Sequence, residues 1–401
     1  MRSETGTAPA LRGVPLLRDA PLGRGQRWIY SAGFNVTPSS RRSERLDTEL
    51  ADLGLLLRAG CRVALLSHQG EHGTALALDF VADHLRARLA APVDYHPVNT
   101  GPDAARRAER IGPGELVVFG NTRHHAGETA GDPALAAEFA ALGDLVAAGG
   151  FSKAHRAHAS NVGIMAFRPG FLADSVVREV ELLAPWAGAR DNLASVAVLG
   201  GSKPEKTLTG LAHVMDTYDV VVPGGVVLNT LLRAKGYDVG GSELGSRPEE
   251  CLAVARDVLG RPHRAELLLP DEVVVAPPTG PARTVRVSDG VPPGHAVVDL
   301  VVSAATRARL THLATRGARA FVAGPPGHCA RGFTTGSGHL VDLLTAPAVD
   351  LLLLGGDTAA ELPWDGPVST GGGSALHYLA HGTCPALDAL RGSPATEEGD
   401  T

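Results

Sequence analysis

A chain of 401 residues is long for one domain and suits two of ordinary size. A formal net charge of −6 and an aromatic content of 4% argue against a basic field or a base-stacking surface, so nucleic acid is not an expected partner. The four cysteines stand far apart with no C-x-x-C pair, and no apolar run approaches the ~18 residues of a membrane span. The opening "MRSETGTAPALRGVPLLRDAPLG" has no apolar stretch of a signal peptide. The expectation is a soluble, cytoplasmic, monomeric protein with no membrane partner.

Taken in chain order, "RWIYSAGF" (27–34) is the first short apolar run that ends in a turn signal. The segment 45–60 follows with Leu46, Leu50, Leu53 and Leu57 at helical spacing. "CRVALLSH" (61–68) reads as a second strand, 75–90 as a helix, "ELVVFGN" (115–121) as a strand and 132–150 as a helix-period segment. A long helix over 171–183 leads into a Pro/Gly loop. Beyond it come the strands "ASVAVLGG", "DVVVPGG", "ARAFVAGPP" and "VDLLLLGGD". Near-continuous apolar strands alternating with helices imply parallel sheets covered on both faces. The expected fold class is therefore α/β, two Rossmann-like doubly wound domains joined by a helix. The expected bounds are 1–184 for the first domain, 185–380 for the second, and 381–401 for a tail returning to the first.

In such sheets ligands bind beyond the carboxyl ends of the strands. Those ends carry "SHQG", "GNTRHH", "LGGSK", "VPGGV", "AGPPG" and "LGGDT". Lysine occurs only four times, at 153, 203, 206 and 235, yet two fall within "GGSKPEK". Glycines let backbone N–H groups approach phosphate oxygens, and a helix start adds partial positive charge. Three such devices in one half favour a polyphosphate site over mere tight turns. No G-x-x-x-x-G-K-[ST] is present, so this is not the P-loop class. "SKAHRAHAS" (152–160) has H-x-x-H spacing but no accompanying ligand set, so zinc is not expected there.

Along nearly its whole length the chain resembles the phosphoglycerate kinases, through "FNVT", "SERL", "LLSHQG", "GNTRHHAGE", "FSKAHRAHASNVG", "LGGSK", "VVVPGGVVLNTLLRAKGYDVGGS", "AGPPG", "LGGDTAA" and "VSTGGGSAL". The resemblance implies an acid-binding first domain, a MgATP-binding second domain, and hinge closure for phosphoryl transfer to a carboxylate. It implies that Arg45 and Lys203 are catalytic, and that Asn35, His68, Arg123 and Arg156 hold a small carboxylic acid, with Glu71 facing it. It implies a nucleotide site at Gly200, Gly201, Lys203, Lys206, Gly224, Gly225, Pro325, Gly356, Thr358, Gly371, Gly372 and Gly373, with Asp357 serving Mg²⁺. On this reading "SKAHRAHAS" is an anion clamp with Arg156 as its working residue.

The departures point elsewhere. Ser31 and Gly33 stand where the family has arginine and aspartate, and Glu71 where it has an arginine of the phosphate clamp. Lys206 comes one residue early, leaving Thr207 in the expected lysine position, and Ala323 and Ala330 replace an asparagine and a ribose-binding glutamate. The expectation from these changes is acyl-phosphate chemistry on an acid other than 3-phosphoglycerate, with Gly33→Asp and Glu71→Arg restoring the usual one. The alternatives are a true glycolytic phosphoglycerate kinase or an inactive ligand-binding homologue. An acyl phosphate is also an activated acyl donor that an amine would convert to an amide, although no residue marks an amine site.

Overall fold

The structure, a computed structural model, describes residues 8–38, 44–190, 192–204 and 206–394, without the side chains of Glu44 and Asp357. The chain falls into two compact units. One runs up to Glu181 and takes in the segment from Thr383; the other is Leu182–Gly382.

The first unit is built on six strands: β1 (Arg27–Ser31), β2 (Arg62–Leu66), β3 (Val93–His96), β4 (Leu116–Phe119), β5 (Leu145–Ala148) and β6 (Gly170–Leu172). They lie in the order β3-β4-β2-β1-β5-β6, every pairing parallel. All four residues of β4 are buried, as a strand covered on both faces requires. Two helix assignments from the sequence are corrected here. Residues 145–148, placed in a helix-period segment, form β5, because four consecutive apolar residues pair with β1 on one side and β6 on the other. The helix expected from 171 begins only at Asp174; Phe171 and Leu172 belong to β6. The 45–60 segment is two helices, Glu44–Asp47 and Leu50–Arg58. The returning segment carries the helix Pro385–Arg391, whose Arg391 donates Nε to Arg12 O and Nη2 to Ala10 O.

The second unit contains β7 (Ala194–Leu199), β8 (Val220–Pro223), β9 (Glu266–Leu267), β10 (Glu272–Ala276), β11 (Arg283–Arg286), β12 (Ala296–Leu300), β13 (Ala318–Ala323), β14 (Val349–Leu354) and β15 (Val368–Ser369). Six form a parallel sheet in the order β15-β14-β13-β7-β8-β9; β11-β10-β12 form a small antiparallel one. The apolar cluster of β7, β8, β13 and β14, including Val196, Val198, Val222, Val322 and Leu353, makes the core. A buried charge lies on the opposite face of β13 from the cluster residues Ala318, Ala320 and Val322. Arg319 of β13 is 1% exposed, and donates to the carbonyls of Pro185, Ala187 and Gly188 while lying over the Tyr218 ring. It thereby satisfies the backbone of the segment that leads into β7. No helix among the described residues is long and apolar enough to cross a membrane.

Candidate active site

In the first unit the polar residues gather where β1, β2, β4 and β5 end, on either side of the strand-order switch at β1. Asn121, past β4, organises the loops. Its Oδ1 accepts from the backbone N–H of Gln69 (3.2 Å) and Arg123 (3.0 Å), and its Nδ2 donates to the carbonyls of Gln69 and Leu76 (both 2.8 Å). His68 and Arg123 are thus fixed from one buried amide. Asn35 is tied to the same loops, its Oδ1 accepting from Gly70 N at 3.2 Å, while Arg45 Nη1 reaches the Asn35 carbonyl at 3.4 Å.

The electrostatics point to an anion. His68 is buried, and its pKa is held well below the ordinary value, first by burial and then by Arg123, Lys153 and Arg156. His158 is pushed down to about 4, again by burial first and then by Arg123, Arg156 and Lys153. Two neutral imidazoles therefore sit in the field of three cations. Arg123 has a side chain 3% exposed, with Nε buried and without a hydrogen-bond partner. Its Nη1 meets Glu71 Oε2 at 2.7 Å, and Glu71 itself is 79% exposed. Glu71 therefore reaches in from solvent to cap a buried guanidinium.

One expectation fails on steric grounds. A Cβ at Gly33 would lie 2.6 Å from Gly150 Cα, a backbone atom that cannot swing aside. Gly33→Asp therefore cannot be seated without a shift of the backbone at Gly33 or Gly150.

The second unit builds its strand ends from backbone. Gly200 N donates to Ala323 O (3.0 Å), Gly201 N to Pro325 O (2.8 Å), Gly224 N to Leu199 O (2.7 Å) and Gly225 N to Pro326 O (2.7 Å). A Cβ at Gly200 would sit 2.6 Å from Pro325 O, at Gly224 2.5 Å from Pro326 Cα, and at Gly225 2.5 Å from Gly201 O. Gly200, Gly224 and Gly225 are thus needed for strand end to meet strand end, and Gly201 for its φ of 78°. The open positions are Gly356 and Gly372, where an added Cβ meets nothing within 4 Å. Gly372 precedes the helix Gly373–His381, with Gly371 buried just before it. Thr358 is buried, its hydroxyl donating to Leu354 O (2.7 Å) and accepting from Gly324 N (3.1 Å). Those bonds hold the end of β14 to the end of β13. Asp357 lies in the helix Gly356–Glu361, and its side chain is outside the described residues. Among the described residues no group of three or more His, Cys, Asp or Glu could hold a metal ion.

Lys203 is exposed past β7, and Lys206 opens a π-helix, Lys206–Leu211. Lys206 Nζ would lie 3.6 Å from a Cβ on Gly201, so its ammonium stands over the glycine pair. Thr207, in the expected lysine position, is fully buried with Oγ1 lacking a partner. A π-turn is the usual accommodation of a one-residue change in helical register. Sequence reasoning assigned no role to Lys153, Glu49 or Asn121. Lysine scarcity was the signal available for the first; nothing marked the others.

The phosphoglycerate kinase family model matches residues 24–382. The phosphoglycerate kinase of Herpetosiphon aurantiacus is 31% identical, with 91% of this chain and 96% of that protein aligned. That of Caulobacter vibrioides is 32% identical over the same shares. Among solved structures, the phosphoglycerate kinase of Pyrococcus horikoshii matches with a TM-score of 0.73 at 23% identity, covering 94% of this chain and 98% of that one. The Coxiella burnetii enzyme matches at 0.69 and 24% identity over the same shares.

Proposed function

The chain belongs to the phosphoglycerate kinase family, kinases that use MgATP to phosphorylate a carboxyl group, and from that premise we propose that it transfers a phosphoryl group between ATP and 3-phosphoglycerate. The observation that carries this reading is the buried Arg123, its Nε without a hydrogen-bond partner, held by Asn121 to the loop that follows His68, with Arg156 and Lys153 adding to the positive field at that imidazole. A cationic pocket with a uncharged imidazole hydrogen-bonding group suits a phosphate ester or a carboxylate. Asn35, His68, Arg123 and Arg156 would hold the acid. Arg45 would steady charge on the transferring group, and Lys203 and Lys206 would neutralise nucleotide phosphates. Mg²⁺ would supply charge neutralisation at the phosphates, with Asp357 as its protein anchor. Open space at Gly356 and Gly372 supports approach of phosphate oxygens at those two helix starts.

This departs from the other-acid reading. Relatives 31–32% identical over 91% of the chain carry the phosphoglycerate kinase name. The charge reversal at position 71 also weighs less than its sequence suggests. A partner that is 79% exposed contributes about 0–1 kcal/mol, and an incoming dianion can displace it. A second reading, a different small acid, rests on Gly33, where no side chain fits to receive a substrate hydroxyl. Steady-state kinetics with 3-phosphoglycerate decide between them. The proposal expects kcat/KM of about 10⁴ M⁻¹s⁻¹ or more; turnover far below that, alongside efficient use of another acid, rejects it.

A further inference from the structure

Lys153 stands apart from the other three lysines in being 3% exposed. It ends the turn Phe151–Lys153 that follows β5. Its ammonium donates to Ser31 Oγ at 2.6 Å and Asn161 Oδ1 at 2.9 Å. Asn161 Nδ2 in turn donates to the carbonyls of Lys153 (3.1 Å) and Arg156 (2.8 Å), so the ammonium reaches the Arg156 loop through one side chain. Glu49, also 3% exposed, accepts the Gly33 N–H through Oε1 at 3.0 Å, while its buried Oε2 lies with the Tyr30 hydroxyl beside Gly149. Two consecutive glycines make room for the pair. A Cβ at Gly149 would lie 2.2 Å from Glu49 Oε2, and one at Gly150 would lie 3.0 Å from Lys153 Cε.

We propose that Lys153 and Glu49 are a buried positioning pair that sets both walls of the acid site, the 33–35 loop and the Arg156 loop, and that acid affinity therefore passes through a maximum with pH. The inference rests on reading Asn35 and Arg156 as acid ligands. Burying a charge is tolerable only with compensation, which the Gly33 N–H gives Glu49 and Ser31 and Asn161 give Lys153, with each charge acting on the other across the space at Gly149 and Gly150. Lys153, Tyr30 and Asp52 act on Glu49; Glu49 and Glu128 act on Lys153, whose charge also reaches His68 and His158. Burial moves the Glu49 carboxyl upward and the Lys153 ammonium downward, so the window in which both are charged narrows from each side. Below it Lys153 loses its counter-charge. Above it Ser31 and Asn161 lose a charged donor.

Two measurements on the full chain test this. In the ligand-free protein, amide hydrogen exchange at Gly33 and Phe34 should accelerate at least tenfold in Lys153→Met and in Glu49→Gln, with second-unit amides unchanged. In wild type, KM for 3-phosphoglycerate should rise several-fold on both sides of its minimum pH, while KM for ATP moves less than twofold. Lys153→Met should raise KM for the acid about tenfold and remove the alkaline limb; Lys153→Arg should retain that limb. The double variant, which buries no charge, should lose less than the two single losses combined, and it keeps the test open should Lys153→Met fail to fold. Unchanged exchange, parallel changes in both KM values, or an identical pH profile in Lys153→Met would overturn the proposal. Accelerated exchange in a protein that does not turn over 3-phosphoglycerate would instead sink the functional reading while upholding the positioning pair.

Discussion

The two units end their parallel strands in different materials. The first unit meets its ligand region with side chains, among them His68, Arg123, Lys153, Glu49 and Asn121, all buried. The second brings strand ends together through backbone, with Gly200, Gly201, Gly224 and Gly225 bonded to the carbonyls of β7 and the segment after β13. Backbone built this way leaves no room for a Cβ at Gly200, Gly224 or Gly225, so those glycines cannot vary without moving a strand. A site made of side chains can change its members, because a cation lost at one position can be supplied from another strand end. Ser31, at the end of β1, is bonded by Lys153 from beyond the end of β5.

The largest expected effect lies in the second unit. Removing divalent metal with EDTA should abolish turnover, and Asp357→Ala should raise the Mg²⁺ requirement strongly; a magnesium titration of initial rates checks both. Full activity in EDTA would break the assignment of nucleotide chemistry to this unit. Next, Lys203→Ala should lower kcat at least about a hundredfold, the scale of losing one preorganised electrostatic donor. Wild-type rates in that variant would make the lysine ordinary surface.

Two substitutions compare the units directly. Gly224→Ala and Gly33→Asp each drive a Cβ to within 2.5–2.6 Å of backbone, and each should lower stability by about 1–3 kcal/mol, read as a shift in denaturation midpoint. If Gly33→Asp instead improves use of 3-phosphoglycerate, the close approach to Gly150 is relieved in solution and the acid pocket regains a contact.

Smaller effects belong to the first unit's charges. His158 and His68 have folded pKa values depressed below the ordinary 6.5. The stability they contribute is present above that value and is lost as pH falls, toward about 4 for His158. Melting temperature should therefore decline through that range, and His158→Gln should flatten the decline. The smallest effect is at the exposed cap. Glu71→Gln should change KM for the acid by less than about fivefold, because the carboxylate that caps the buried Arg123 is itself 79% exposed. A change of a hundredfold would mean that Glu71 is a true determinant of the acid.

Much of this molecule was legible from residue order. Apolar runs closed by glycine disclosed both parallel sheets, because a strand buried on both faces cannot alternate polar residues. "LGGSK" and "VPGGV" disclosed the second unit's strand ends, since only glycine permits those backbone approaches. β5 and β6 were not legible, because their strand character comes from pairing with neighbours remote in sequence. Nor was the first unit's polar network. Glu49 and Lys153 lie 104 positions apart, and each alone reads as a surface charge. What brings them together is the fold of β1 against β5, which buries both beside Gly149 and Gly150, where Glu49 is held by the Gly33 N–H and Lys153 by Ser31 and Asn161.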